Sequence, residues 1–155
     1  MQPFRIAILF LVVLLQGCAS SFGVPETGTD FSLSGCPPLL NCVSSESSVF
    51  IYRTDPIRLA QPLDEARWEQ VKAIALDLQG ASLNEERYGY LDVTCYSRVF
   101  HFPDFLELLI KPDGQTLAVR SQSLLGLVDF GVNRYRVYTL RERLVEQGLA
   151  DRVGN

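Results

Sequence analysis

The chain is short of the residues that enzymatic chemistry most often needs. It has one histidine, His101, and one methionine and one tryptophan among 155 residues. A single histidine argues against a Ser-His-Asp hydrolase. A Cys95–His101 dyad fares no better, because six residues along one extended strand separate the two by roughly 20 Å, outside hydrogen-bond reach. Cys95 is therefore read as a buried thiol packed like a small apolar residue. One histidine beside one spaced cysteine pair does not complete four zinc ligands, so neither metal nor cofactor is expected. Gly126 and Gly131 are not followed by the Lys-Ser/Thr of a Walker loop. Basic charge is scarce too: 14 basic against 18 acidic side chains give a net charge of −4. Nucleic acid is thereby excluded as an expected partner, and a polybasic membrane patch is missing. No low-complexity tract interrupts the chain, and nowhere do about twenty apolar residues run together, the length a spanning helix needs.

What is present begins with the apolar run Ile6–Leu15, preceded by Arg5. Ten residues are too few for a stable span and have the length and flanks of a signal-peptide core. The run ends at Leu15-Gln16-Gly17-Cys18. This segment resembles a bacterial lipobox, in which the cysteine is acylated with palmitate-type chains and becomes the new N-terminus. Gln16 departs from the Ser, Ala or Thr usual at its place, and an ordinary cleavage near Ala19 is the alternative. Two acyl chains already hold a protein stably on a membrane. By resemblance to Gram-negative sorting, Ala19 in place of Asp favours the outer membrane, with the domain facing the periplasm. Losing residues 1–17 removes Arg5 and no acidic side chain, which takes the charge from −4 to −5.

The remainder reads as a flexible tether over 18–35, one globular domain over 36–148 and a tail over 149–155. The tether is rich in Ser, Gly and Thr. Val49–Tyr52 is a short strand candidate. A helix is expected over about 63–79, with Pro62, Asp64 and Glu65 at its start. Trp68, Val71, Ile74, Ala75 and Leu78 form its apolar face, and Gly80 is its left-handed stop. Four strands follow, near 81–86, 91–99, 105–111 and 116–123, with a strong turn signal at Pro112-Asp113-Gly114. Short turns imply antiparallel neighbours. A last helix starts at 132 or 133, carries Val137, Leu140 and Leu144, and stops at Gly148. The expected fold is therefore α+β: an antiparallel meander of about four strands packed by two helices in two layers.

Several words in this region are distinctive. They are Asn41-Cys42-Val43-Ser44-Ser45, Ser97-Arg98, Arg120-Ser121-x-Ser123 and Gly126-x-x-Asp129-x-Gly131-x-Asn133-Arg134-x-Arg136. On these the chain resembles a bacterial family of uncharacterised proteins, domain of unknown function 1499, over about 36–146. Leu39-Leu40 stands where that family pattern has Ser-Pro. The resemblance implies the domain boundaries and brings no activity.

In an oxidising envelope a disulfide is plausible. Cys36 and Cys42 are close, with Pro37-Pro38 folding the segment back; a bridge to Cys95, or free thiols throughout, are the alternatives. The C-terminal words gather Arg98, Arg120, Ser121, Asp129, Asn133, Arg134 and Arg136 around a strand end and a helix start. Helix N-termini and arginine forks bind anions, so a small anionic ligand such as a lipid head group or cell-wall fragment is a candidate. The competing reading is structural: Asp129 caps the helix, Asn133 ties the loop, and the arginines pair with Asp92, Asp104 or Glu107. With no catalytic set in view, the expectation is a non-enzymatic envelope lipoprotein that binds a ligand or an envelope protein. Two alternatives stand: an enzyme of an unrecognised class using Asp129 or Asp104 as acid/base, or a purely structural subunit.

Overall fold

A computed structural model of the chain describes residues 32–152. The expected signal peptide, Cys18, the expected tether up to 31 and residues 153–155 lie outside the described residues. The order of elements is β1 (Cys42–Ser44), a 3-10 turn (Phe50–Tyr52), β2 (Ile57–Arg58), α1 (Glu65–Leu76), β3 (Ala81–Arg87), β4 (Tyr90–Tyr96), β5 (Pro103–Ile110), β6 (Thr116–Ser123) and α2 (Val132–Glu146). The architecture is α+β, with six antiparallel strands rather than about four.

The expected meander is β3-β4-β5-β6. The two further strands lie along the free edge of β6: β1 opposite Arg120–Gln122 and β2 opposite Thr116 and Leu117. At three and two residues they are too short to show a period of two. Val49–Tyr52 is not a strand. The Ser47 hydroxyl accepts from the Val49 amide at 3.2 Å, and the Tyr52 and Arg53 amides reach back three residues to the Val49 and Phe50 carbonyls. Local serine bonding of this kind competes with strand pairing.

Helix α1 starts where Asp64 accepts from the Arg67 amide at 2.8 Å, an N-cap that satisfies one orphan donor. It is shorter than expected at both ends. It stops before Gly80, whose φ of +68° turns the chain into β3. A Cβ at Gly80 would lie 2.2 Å from the Tyr96 carbonyl oxygen, so glycine is required there by contact as well as by conformation.

Both helices pack on one face of the sheet. Trp68, Val71 and Ala75 of α1 and Val137, Leu140 and Leu144 of α2 meet the odd-numbered side chains Leu91, Val93 and Cys95, the even-numbered Leu106 and Leu108, and Leu117 and Val119. Burying each such aliphatic side chain is worth about 1.5–3 kcal/mol, which fixes the register of every strand. The domain boundaries widen at both ends. Leu149 and Ala150, expected in a tail, join this core: Gly148 turns the chain back with φ +69°, and the Leu149 amide donates to Leu144 at 2.8 Å. Leu33, expected in the tether, is buried on the opposite face against Tyr90, Leu109 and Ala118.

Candidate functional site

The alternation along β5 and β6 sorts the polar residues onto two faces. Asp104 and Ser121 point to the helix side; Glu107, Arg120 and Gln122 point to the other.

On the helix side, Asn133 is fully buried and uses every position of its amide. Its nitrogen donates to the Asn41 carbonyl and the Ser123 hydroxyl, both at 2.9 Å. Its oxygen accepts from Ser121 at 2.7 Å and from Arg136 at 2.6 Å. Arg136 continues to the Ser121 hydroxyl at 2.9 Å and to the Asp104 carboxylate at 2.5 Å. Asn41 reaches in from before β1, donating to the Ser123 and Gly126 carbonyls at 3.1 and 2.8 Å. Asp129 accepts from the Gly131 and Asn133 amides at 2.9 and 2.8 Å, and its own carbonyl accepts from Val132. Asp129 thus takes the first amides that this helix start would offer an anion, those of Gly131, Val132 and Asn133. A buried polar network of this kind fixes one arrangement of loop, helix and sheet, because every member left unpaired costs about 1–3 kcal/mol.

The seven residues singled out in the sequence therefore do not form one cluster. Ser121, Asp129, Asn133 and Arg136 come together. Arg120 lies across the sheet, paired with Glu107 and Gln122 and near the Gly35 carbonyl at 3.5 Å. Arg134 is exposed and donates to the Arg53 and Ile51 carbonyls at 2.9 and 3.1 Å. Arg98 does not approach Arg120: β5 lies between β4 and β6, and β4 ends at Tyr96, two residues before Arg98. Val99, at the end of the strand expected near 91–99, is exposed because β4 stops at Tyr96.

Arg98 instead lines a groove of about 440 Å³ between the end of β4 and α2, shared with Tyr96, Asp104, Tyr135, Arg136 and Arg143. Arg136 is held by Asp104, and Arg143 by the Asp77 carboxylate at 2.7 Å. Arg98 is exposed and makes no hydrogen bond or ion pair among the described residues. Cys95 lies beside this groove. Burial pushes its thiol above the usual range, while the nearby Arg136 pulls the other way. A larger hollow of about 760 Å³ is lined by Phe50, Thr54, Tyr138, Arg53, Arg134 and Arg141, and two of its three arginines, Arg134 and Arg141, already donate to backbone carbonyls. Tyr135 and Arg143 were not legible as groove residues, since only their spacing along α2, at i and i+8, hints at a shared face.

The other two cysteines among the described residues, Cys36 and Cys42, are bridged, which closes the turn that delivers Asn41 to Asn133. Burial first, and then Glu107 and Glu85, hold the Asp92 carboxyl above the usual carboxylate range, against the opposing pull of Asn84 and Arg120. It sits on the face away from the groove. Among the described residues no three His, Cys, Asp or Glu are placed to hold a metal ion, and no helix is long and apolar enough to cross a membrane.

Fold and network together define a two-layer α+β domain whose second helix is locked to the sheet edge by buried Asn41, Asn133, Arg136 and Asp104. The chain belongs to the family described as protein of unknown function DUF1499, whose model matches residues 32–144. Neither a curated protein nor a solved structure matches it.

Proposed function

We propose that the chain is a lipid-anchored envelope protein that works by binding, holding a small anionic ligand in the groove at Arg98. The tether rests on Cys18 and the ten-residue run before it. The observation that carries the binding reading is the Arg98 guanidinium, which has no hydrogen bond or ion pair among the described residues, on a groove wall that two further arginines share. Arginine forks engage carboxylate or phosphate through two parallel bonds, and Tyr96 and Tyr135 offer hydroxyls and flat faces at the same opening. The carboxylates named for an enzyme weigh against that alternative: Asp104 is paired with Arg136, and Asp129 holds backbone amides.

The test is titration of the protein with glycerol 3-phosphate, followed by NMR of the arginine side chains. Saturable shifts at Arg98 and Arg136 are expected. A hydrogen bond to a charged group is worth about 1.5–3 kcal/mol, so Arg98→Ala should weaken binding at least about tenfold. Binding that is unchanged in Arg98→Ala, or absent altogether, refutes a site there.

A further inference from the structure

One end of the sheet is loaded with apolar side chains that the fold leaves in solvent. Three segments meet there. The turn 97–102 closes with the Ser97 amide on the Phe102 carbonyl at 3.0 Å; the loop 124–131 is tied to β5 by the Leu124 amide on Pro103 at 3.1 Å; and residue 40 is tied to that loop by its amide on Leu127 at 2.9 Å. Their exposed side chains include Leu40, Val99, Phe100, Leu125, Leu127 and Phe130, with Phe130 95% and Phe100 72% exposed. A scattered exposed leucine is ordinary in a soluble domain, but a contiguous apolar end of this kind marks an interaction surface. Two residues here hold the backbone in the left-handed region without being glycine, His101 and Phe130, each at φ +51°. An aromatic residue is rarely found in that conformation, which costs of order 1 kcal/mol or more. The fold thus accepts strain in both loops while leaving Phe130 outside the core.

We infer that this apolar end docks non-covalently on the surface of an anionic lipid bilayer. Charge favours that occupant. Residues 36–41, 97–102 and 124–136 carry two exposed arginines, Arg98 and Arg134, against one acidic residue, Asp129, while Arg136 is neutralised by its ion pair with Asp104, in a chain whose net charge is −4. Both Asp129 oxygens are already occupied by amides. Aromatic rings with arginines at their rim suit the level where headgroups meet acyl chains. The side chains project from loop tips in three segments, and fluid lipid accepts such a surface without a matching shape.

Reach permits it. Leu33 lies over Tyr90, Leu109 and Ala118, and from there the chain runs to residue 40 at the apolar end. Strand β4 spans about 20 Å between the two ends. The 14 residue steps from Cys18 to residue 32 can reach at most about 50 Å. A lipid on Cys18 therefore does not keep this end from the membrane. The groove borders the same surface, since Arg98 of the turn 97–102 and Val132, the residue after the loop 124–131, both line it.

The test uses the full chain, reconstituted from detergent into vesicles of phosphatidylethanolamine and phosphatidylglycerol, part of the lipid brominated on its acyl chains. Three variants carry a reporter: Phe100→Trp and Phe130→Trp at the apolar end, and Tyr88→Trp in the exposed β3–β4 turn at the other. The native Trp68 is buried and supplies a constant background. The first two reporters should shift to the blue and lose most of their emission to bromolipid, while Tyr88→Trp keeps its own. Omitting phosphatidylglycerol, or adding Arg98→Ala, should weaken the quenching. Equal quenching at all three positions, or none at Phe100→Trp and Phe130→Trp, overturns the inference. Protection of Phe130→Trp in native membranes but not in vesicles overturns it as well, in favour of a protein occupant. Acylation is read separately by mass: an unacylated Cys18 with quenched loop reporters refutes the tether and leaves the docking surface standing.

Discussion

Replacing Arg136 with alanine strands the Asp104 carboxylate in the interior. The side chains of this pair are only 11% and 8% exposed, and Arg136 also serves Ser121 and Asn133. Breaking a buried pair from one side costs about 3–5 kcal/mol, because the remaining charge is left without compensation. That is a large part of the 5–15 kcal/mol typical of a whole domain. Trp68, the only tryptophan and 2% exposed, reports unfolding in urea with the disulfide intact. Arg136→Ala should lower the midpoint at nearly constant slope and bring Tm down by more than about 10 °C. The double variant Arg136→Met/Asp104→Leu should recover most of the loss, since it removes both charges and refills the volume. A loss within about 0.5 kcal/mol for Arg136→Ala, the size of an ordinary surface change, would refute the claim that the network holds α2 to the sheet.

Three further outcomes follow from the same structure. Reducing Cys36–Cys42, which are six residues apart, should cost about 2 kcal/mol, measured as the urea midpoint with and without reductant; no change would show that the turn is held without it. Gly80→Ala should cost at least about 2 kcal/mol in the same assay, because φ is +68° and the added Cβ meets the Tyr96 carbonyl. Asp92 has its ionisation raised above 3.8 by burial, so the folded state holds its proton more tightly than the unfolded state. Its contribution to stability is complete below 3.8 and is lost as pH rises through the folded value. Asp92→Asn should therefore be more stable than the native chain at pH 7, with the difference shrinking in acid; a less stable Asp92→Asn contradicts this.

Much of the fold is written in periodicity. Leu106 and Leu108 against Leu117 and Val119, and Val137, Leu140 and Leu144 along α2, announce their faces, because a wrong register would expose all of them at once. β1 and β2 are illegible since two or three residues carry no period, and their pairing depends on β6 being in place. The site was legible as residue types and not as geometry. Ser121, Asp129, Asn133 and Arg136 stand close in sequence and close in space. Arg120 stands as close in sequence, yet its parity on β6 puts it across the sheet with Glu107. Asn41, about 80 residues earlier, enters the network only because β1 adds to the β6 edge. Arg98 could not be placed from alternation, since the strand ends before it.

The proposed place of the domain in the cell envelope depends on its being held at a membrane through Cys18. The direct measurement is the intact mass and N-terminal sequence of the protein purified from the membranes of the cells that make it. A chain starting at Cys18, lacking residues 1–17 and heavier by two or more acyl chains, is expected. A chain starting at Met1, or one starting near Ala19 with no acyl mass, would contradict the anchor.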